Sequence, residues 1–335
     1  VLCVLILAII TFLIAQTRTP QLRGKIPDKA LDYSYRPDFI PKEAFLLDTH
    51  SHTIASDGWM TPEQNIKWHI ANGFNAFVLT DHNTGKNNSQ IIALQEKYPE
   101  ILIIPGYEWT TWRIHINFLG IMDFPESVPN KPSDAEIKRV IQKAKDLGAV
   151  VQVDHISWTV NEPLHKAGEV LHPTRDQLYE WGIDGYEINN EMRWYDPKTL
   201  HWLENLKGSG KYKRPVYIST GTDIHSPLKE WATGWTEILL NDEERKHPTW
   251  DLIKKALLEG RTRIWVDHDY RQPPENKVVP YSDQGVPHVT LSPFYSLAHG
   301  IEKLPGSIKG IIIYVLWFLI AYFPLRLLFS WLLSL

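Results

Sequence analysis

Apolar, β-rich runs alternate with amphipathic helical segments along the middle of the chain, and this alternation limits its fold more than any other feature. The predicted strands are 45–51, 76–81, 101–107, 114–120, 149–154, 185–189 and 215–221. Alternating strands and helices are typical of parallel pairing, with each helix crossing from one strand to the next. Seven strands within about 220 residues favour a β/α barrel over an open sheet.

Three helices between these strands have recognisable ends. Thr61 is followed three residues later by Gln64, and Ser133 is followed in the same way by Glu136. Both pairs have the spacing of a capping box, in which the two side chains satisfy the first backbone N–H groups of a helix. A third helix is predicted from about residue 249 to about residue 260.

Imidazole and carboxylate groups collect at the ends of the predicted strands. Most stand at or just past the carboxyl end of an apolar run: His50, His52, Asp81, His82, Glu108, His155, Asp223 and His225. His115 lies early in its strand. In a β/α barrel these strand ends meet at one mouth, where such barrels carry their active sites. Imidazole and carboxylate are ligands for zinc, manganese or iron, so the pattern predicts a metal site. Asp57 can reach back to the same place, and Glu108 can bridge two ions.

Several stretches resemble one family closely. They are DTHSHTIASDG at 48–58, LTDHNT at 79–84, PGYEWTT at 105–111, HINFLG at 115–120, VDH at 153–155, DGYEINN at 184–190 and GTDIHS at 221–226. On these residues the chain resembles the PHP (polymerase and histidinol phosphatase) family, and within it the carbaryl-hydrolase-like branch of metallohydrolases. The resemblance covers residues 44 to 267, and it departs from the family pattern at Ile156, where the family usually has proline.

The resemblance implies a fold, a cofactor and a set of ligands. The fold is a distorted (β/α)7 TIM-like barrel of the α/β class, and the cofactors are two or three divalent metal ions, which are zinc, manganese or iron. Carried over residue by residue, the metal ligands are His50, His52, Asp57, His82, Glu108, His115, His155, Asp223 and His225. Each of the nine positions holds a side chain that can bind a metal.

The two ends of the chain are strongly apolar, and this pattern predicts membrane attachment. The predicted division is an N-terminal membrane anchor at 1–16, a linker at 17–43, the barrel at 44–270, a Pro/Gly-rich linker at 271–307 and a C-terminal transmembrane helix at 308–335. A signal peptide is the alternative for the first segment, and a buried core helix is the alternative for the last. Basic residues on the flanks favour an integral membrane protein whose catalytic domain is cytoplasmic, in a membrane that the sequence leaves open.

The first functional hypothesis is a membrane-anchored phosphoesterase in which a metal-bridging hydroxide attacks phosphorus. Asp81 and His225 are the predicted catalytic residues, with Asp81 holding a ligand in place or, as the alternative, capping its strand. Lys86, Arg113 and Arg193 stand near the ends of the motifs and are the predicted phosphate contacts, with solvated surface as the alternative. Membrane anchoring extends the substrate range to lipid-linked esters.

Two further hypotheses keep the same barrel. In one, the same metal site hydrolyses a carbamate or carboxylic ester, as the carbaryl-hydrolase-like resemblance implies. In the other, the barrel is a structural subunit of a membrane complex. Nucleic acid is not an expected partner, because the chain of 335 residues has a formal net charge of −4 and no basic excess.

Overall fold

The computed structural model describes residues 23–31, 36–161, 171–191, 194–228 and 230–267. Its strands are β1 (Phe45–Asp48), β2 (Ala76–Leu79), β3 (Leu102–Thr110), β4 (His115–Leu119), β5 (Val150–Val153), β6 (Gly185–Asn190), β7 (Trp194–Tyr195), β8 (Tyr217–Gly221), β9 (Gly234–Ile238) and β10 (Thr262–Val266). Its α-helices are α1 (Pro62–Ala71), α2 (Asn88–Ala93), α3 (Asp134–Asp146), α4 (Ile156–Asn161), α5 (Arg175–Trp181), α6 (Pro197–Gly208), α7 (Asp242–Lys246) and α8 (Trp250–Leu258). A short 3₁₀ turn covers Asp28–Ala30.

The strands form one mixed sheet that curls into a half-barrel. The order is β10-β9-β1-β2-β3-β4-β5-β6-β7, and β8 pairs with β6. Parallel pairs join β1 to β2, β2 to β3, β5 to β6, and β6 to β8. Just past their ends, β1 and β8 meet in a parallel bridge between Ser51 and Ile224. Each of the seven predicted strands is present, and the predicted α/β class is confirmed.

The prediction of parallel pairing throughout is wrong at β4. This strand is antiparallel to both β3 and β5. The cause is the connection between β3 and β4, which runs only from Thr111 to Ile114. A parallel pair needs a crossover of about a dozen residues or more, and a link this short allows only a hairpin. The strands β9 and β10 were not predicted, and they add an antiparallel extension to the edge of β1.

The predicted helix starts are confirmed by their capping hydrogen bonds. The Thr61 hydroxyl accepts from the Gln64 N–H, and the Gln64 side chain accepts from the Thr61 N–H. Ser133 and Glu136 make the same reciprocal pair at the start of α3. Such caps are worth about 1 kcal/mol each, and they fix where the chain turns from a loop into a helix.

A buried polar network joins strands β5 and β8. Gln152 of β5 is its centre, with no exposed surface. Its Nε2 donates to Asp154 Oδ1 at 2.9 Å, and its Oε1 accepts from Ser219 Oγ at 2.8 Å and Tyr217 OH at 3.2 Å. Buried polar groups are stable only when they are hydrogen-bonded, so these bonds hold the end of β5 against β8.

The prediction of an integral membrane protein is wrong for the part of the chain that the structure describes. No helix there is both long and apolar enough to cross a membrane. The longest, α3, has 13 residues and carries charges along one face, whereas a span takes about 20 apolar residues. The predicted anchors at 1–16 and 308–335, and the linker at 271–307, lie outside the described residues.

Candidate metal centre

The end of β1 brings two histidines to one side of the backbone. His50 and His52 are separated by Ser51, and their ring centroids lie 5.1 Å apart. Ser51 points the opposite way, where its hydroxyl donates to the Val78 carbonyl at 2.9 Å. Both histidines are fully buried. Alternation of side chains along an extended segment is the reason that a His-x-His sequence delivers both rings to the same place.

Glu108, on β3, stands at the centre of the histidines. Its Oε2 faces three rings, at 2.6 Å from His82 Nδ1, 3.3 Å from His50 Nε2 and 3.4 Å from His52 Nε2. Its Oε1 faces the other way, at 2.7 Å from His115 Nδ1 and 3.8 Å from His155 Nε2. The Glu108 side chain has no exposed surface. The Glu108 carboxylate therefore lies between two sets of imidazoles: Oε2 faces one set of three rings, and Oε1 faces the other set of two.

Asp223 supplies a second carboxylate from the segment that follows β8. Its Oδ1 lies 2.8 Å from His52 Nε2 and 3.3 Å from His50 Nε2. The residue adopts φ of 49°, in the left-handed region that few residues other than glycine occupy. Unusual backbone conformations of this kind cluster at functional sites, because the surrounding fold holds them there.

The remaining predicted ligands lie nearer to solvent. Asp57 Oδ1 is 3.1 Å from His225 Nε2 and 3.5 Å from His82 Nε2. The Asp57 side chain is 59% exposed, whereas those of His82 and His225 are 23% and 22% exposed. The rings of His82 and His225 both stack against the ring of His52, with centroids 4.4 Å and 4.3 Å away.

Two groups of side chains can thus be named, and the outer one contains the three ligands that reach solvent together with the buried His52 on which two of their rings stack. The inner group consists of five buried residues: His50, Glu108, His115, His155 and Asp223. The outer group consists of His52, Asp57, His82 and His225, whose potential ligand atoms all lie within 4.8 Å of one another. Together they contain all nine ligands that the family resemblance predicts.

Unsatisfied buried atoms test whether these residues fit a metal ion. Within the described residues, His52 Nε2, Asp223 Oδ1 and His155 Nδ1 have no hydrogen-bond partner. The first two are 2.8 Å apart, yet they are not aligned for a hydrogen bond. A buried polar atom without a partner costs about 1–3 kcal/mol. A cation bound beside His52 Nε2 and Asp223 Oδ1 would satisfy those two atoms, and the imidazole and carboxylate set fits a divalent transition metal.

The charges of the two groups shift one another's pKa values. Burial lowers the pKa of His50, but Asp223, Glu187 and Glu108 raise it more, so that it lies well above its ordinary value. Burial raises the pKa of Glu108, but the neighbouring histidines lower it more, so that it lies well below its ordinary value. Burial lowers the pKa of His115 to about 4, which leaves its ring neutral near pH 7. Cation binding would displace the protons that the raised histidines hold.

The predicted catalytic residue Asp81 lies beside the outer group and binds the loop that carries Asp57. Its Oδ1 accepts from the Thr53 N–H and the Ser56 hydroxyl, both at 2.7 Å, and its Oδ2 accepts from the Thr53 hydroxyl at 2.5 Å.

The other predicted catalytic residue, His225, is held in place through its backbone. Its backbone N–H donates to Glu230 Oε2 at 2.6 Å.

The three predicted phosphate contacts have different surroundings. The Lys86 side chain is exposed, four residues after His82. Arg113 has its donors engaged by the protein, with Nε on the Leu171 carbonyl at 2.5 Å, Nη1 on the Pro132 carbonyl at 2.9 Å, and an ion pair to Asp134. These bonds tie Arg113 to neighbouring segments. Arg193 lies outside the described residues.

Two carboxylates near the site were missed in the sequence. Glu187 and Asp154 both approach His50 Nδ1, at 3.1 Å and 4.0 Å. Glu187 stands in the middle of the buried strand β6, and a carboxylate within such a strand is the signal that could have pointed to it. Asp154 directly precedes His155 and has its pKa raised well above its ordinary value by burial.

Comparisons with known proteins give distant likenesses. No protein-family model matches the chain. An uncharacterised protein of Methanocaldococcus jannaschii is 30% identical over 128 residues, which cover 36% of this chain and 49% of that protein. The chain therefore spans about half the length of this curated relative.

Three bacterial proteins are among the solved structures to which the chain is similar. One is a two-domain protein of Bacteroides vulgatus that contains a predicted PHP-like metal-dependent phosphoesterase, at 21% identity and a TM-score of 0.49, covering 70% of this chain and 68% of that one. A proposed metal-dependent phosphoesterase of Bifidobacterium adolescentis has 16% identity and a TM-score of 0.44, covering 64% and 96%. An amidohydrolase of Chromobacterium violaceum, solved with sulfate and no metal, has 15% identity and a TM-score of 0.40, covering 64% and 98%.

Proposed function

We propose that this chain is a metal-dependent phosphoester hydrolase. The observation that carries the proposal is the position of Glu108, whose two carboxylate oxygens face five imidazole rings in a buried place. A structural role alone does not account for such a cluster, because burying several titratable groups together is costly unless they are paired or bind a metal. The unpartnered atoms of His52, His155 and Asp223 support the same proposal.

The inner and outer groups are the proposed ligands of two or three zinc, manganese or iron ions, with Glu108 between them. When bound, such ions lower the pKa of a water molecule and neutralise the charge that develops on the phosphate oxygens. The chain's own residues fix where this occurs. His82, His225 and Asp57 are the exposed members, so the substrate is proposed to approach from their side.

Residues around the ligands have proposed supporting roles. His225, held through Glu230, is proposed to be both a ligand and the catalytic group nearest to the entering substrate. Asp81 is proposed as a positioning residue that acts through Thr53 and Ser56 on Asp57. Lys86 is exposed and lies four residues after His82. In this proposal its ammonium group contacts a phosphate oxygen of the substrate.

Metal analysis joined to a substrate panel tests this function. We expect two or three equivalents of zinc, manganese or iron per chain, and turnover of p-nitrophenyl phosphate or bis(p-nitrophenyl) phosphate that is lost on chelation. Glu237→Gln is a matched control for ligand variants, because Glu237 is a buried strand glutamate that binds Trp265 and Arg263 instead of the ligands. Its activity should stay close to that of the parent chain.

The same panel separates the other hypotheses. Turnover of p-nitrophenyl acetate or an aryl carbamate, without turnover of either phosphoester, would replace the phosphoesterase by a carbonyl hydrolase on the same residues. Protein that binds no metal even after incubation with zinc, manganese and iron would refute the hydrolase and favour the scaffold.

A further inference from the structure

Glu187 is a buried carboxylate that contacts two of the proposed ligands from the side away from solvent. It lies on β6, and its side chain has no exposed surface. Its Oε1 is 3.1 Å from His50 Nδ1. Its Oε2 accepts from the backbone N–H of His155 at 2.8 Å and from Asn190 Nδ2 at 3.0 Å. One side chain thereby joins the end of β1 to the end of β5.

The contact with His50 decides which ring nitrogen faces the metal position. A carboxylate beside Nδ1 favours a proton on that nitrogen, and the lone pair is then on Nε2. The Nε2 atom points to the other side, where it lies 3.3 Å from both Glu108 Oε2 and Asp223 Oδ1. Glu187 therefore favours the tautomer of His50 that can bind a metal among the inner group.

The contact with His155 acts on the backbone. His155 has φ of 25°, which is unusual for a residue with a side chain. Its N–H would have to find another partner if Glu187 Oε2 were absent, because the residue is buried. The hydrogen bond that the His155 N–H donates to Glu187 holds this conformation, in which His155 Nε2 lies 3.8 Å from Glu108 Oε1.

Gly221 shows how closely the carboxylate is fitted. A Cβ atom added to Gly221 would lie 1.8 Å from Glu187 Oε1 and 2.6 Å from His50 Cβ. No real Cβ tolerates such distances, so the last residue of β8 must be glycine for Glu187 and His50 to remain in contact. Residues of β6 and β8 and the segment after β1 are therefore packed closely around the contact between Glu187 and His50.

We propose that Glu187 is a positioning residue that sets the metal affinity of the inner group through His50 and His155. The proposal rests on the proposed function, because it presumes that the inner group binds metal. Hydrogen-bond partners behind metal ligands typically change metal affinity about 10- to 100-fold when they are removed. Glu187→Gln keeps the size of the side chain but places an amide NH₂ against a donor, either His50 Nδ1–H or the His155 N–H.

The test is a calorimetric titration of the metal-free full chain with Mn²⁺, alongside thermal melting without metal. For Glu187→Gln we expect the same number of ions at saturation, with the tightest dissociation constant weakened about 10- to 100-fold. Activity should return at high Mn²⁺ concentration, which a merely structural defect would not allow. The control Glu237→Gln, an identical change in another buried strand, should bind Mn²⁺ like the parent chain.

Each contrary result has a distinct meaning. A parent chain that binds no Mn²⁺ refutes the proposed function itself. Equal Mn²⁺ affinity in the parent chain and in Glu187→Gln overturns the positioning role while leaving the function intact. Loss of a whole ion at saturation also overturns it, because Glu187 would then be a ligand, together with His50 and Asp154.

Asn190→Ala keeps the test open if Glu187→Gln does not fold. This variant removes only the Asn190 bond to Glu187 Oε2 and leaves the carboxylate in place. We expect it to weaken Mn²⁺ binding by about 2- to 10-fold, below the effect of losing the carboxylate. Unchanged affinity in this variant would count against Glu187 as the residue that positions His50 and His155.

Discussion

The inner and outer groups contain the same kinds of side chain but are built differently. Every inner residue is buried, and the residues come from the ends of strands that are hydrogen-bonded to one another. In the outer group, by contrast, Asp57 is 59% exposed and belongs to a loop. The comparison teaches that strand geometry positions the inner ligands, whereas the loop that carries Asp57 is held by hydrogen bonds that Thr53 and Ser56 donate to Asp81.

This difference has consequences for metal binding. Charges in a buried site interact strongly, because the local dielectric is low and water is excluded. In the outer group Asp57, His82 and His225 are better solvated, because their side chains reach the surface. We therefore expect the inner group to bind its ion more tightly, and the outer group to exchange ions and contact substrate. Three substitutions test this comparison and a fourth, at Arg113 outside both groups, limits it; they begin with the largest expected effect.

Glu108→Gln should damage both groups together. The change removes the charge that faces all five imidazoles and puts an amide NH₂ against at least one of them. We expect kcat/KM on a phosphoester to fall about 100- to 1000-fold or more, as for loss of a central electrostatic group. Elemental analysis should show less metal at both positions. Full metal content with normal activity would contradict the central place given to Glu108.

Asp57→Asn should damage the outer group alone. The charged contacts to His225 and His82 are lost, and contacts of this kind are worth about 1.5–3 kcal/mol, or roughly 10- to 100-fold in kcat/KM. Titration with Mn²⁺ should lose its weakest site and keep the tightest one. If the tightest site disappears instead, the two groups are not separable and the comparison fails.

Asp81→Asn should act on the outer group indirectly. The amide cannot accept all three hydrogen bonds from Thr53 and Ser56, so the loop that carries Asp57 loses its anchor. We expect a decrease in kcat/KM of about 10-fold, at the lower end for residues behind metal ligands, with recovery at high metal concentration. Failure of added metal to restore any activity would instead indicate a direct catalytic role for Asp81.

Arg113→Gln should affect stability more than catalysis. The guanidinium donates to the Leu171 and Pro132 carbonyls and pairs with Asp134, so the variant should lose up to about 1 kcal/mol of unfolding free energy. We expect kcat/KM to change by less than about twofold, within 0.5 kcal/mol. A large rise in KM at unchanged melting temperature would restore Arg113 as a phosphate contact.

Much of the fold could be predicted because its signals are local. The seven strands were found from apolar runs and the helix starts from Thr61 and Ser133, whose partners lie three residues away. The reversal of β4 was not found, although the short connection from Thr111 to Ile114 was visible in the sequence. Strand β9 pairs with the edge of β1, which is distant in the sequence, and β10 pairs with β9, so neither strand was predicted.

The sequence by itself determined which side chains could form a metal site. A His-x-His pair after an apolar strand, together with carboxylates and histidines after the others, restricts the chemistry whatever the details of the fold. Only the tertiary structure decided which oxygen of Glu108 faces which rings, that Asp81 binds the loop of Asp57, and that Glu187 lies behind His50 and His155. The physical reason is that hydrogen-bond direction and burial depend on strands far apart in the sequence, whereas the chemical identity of a ligand does not.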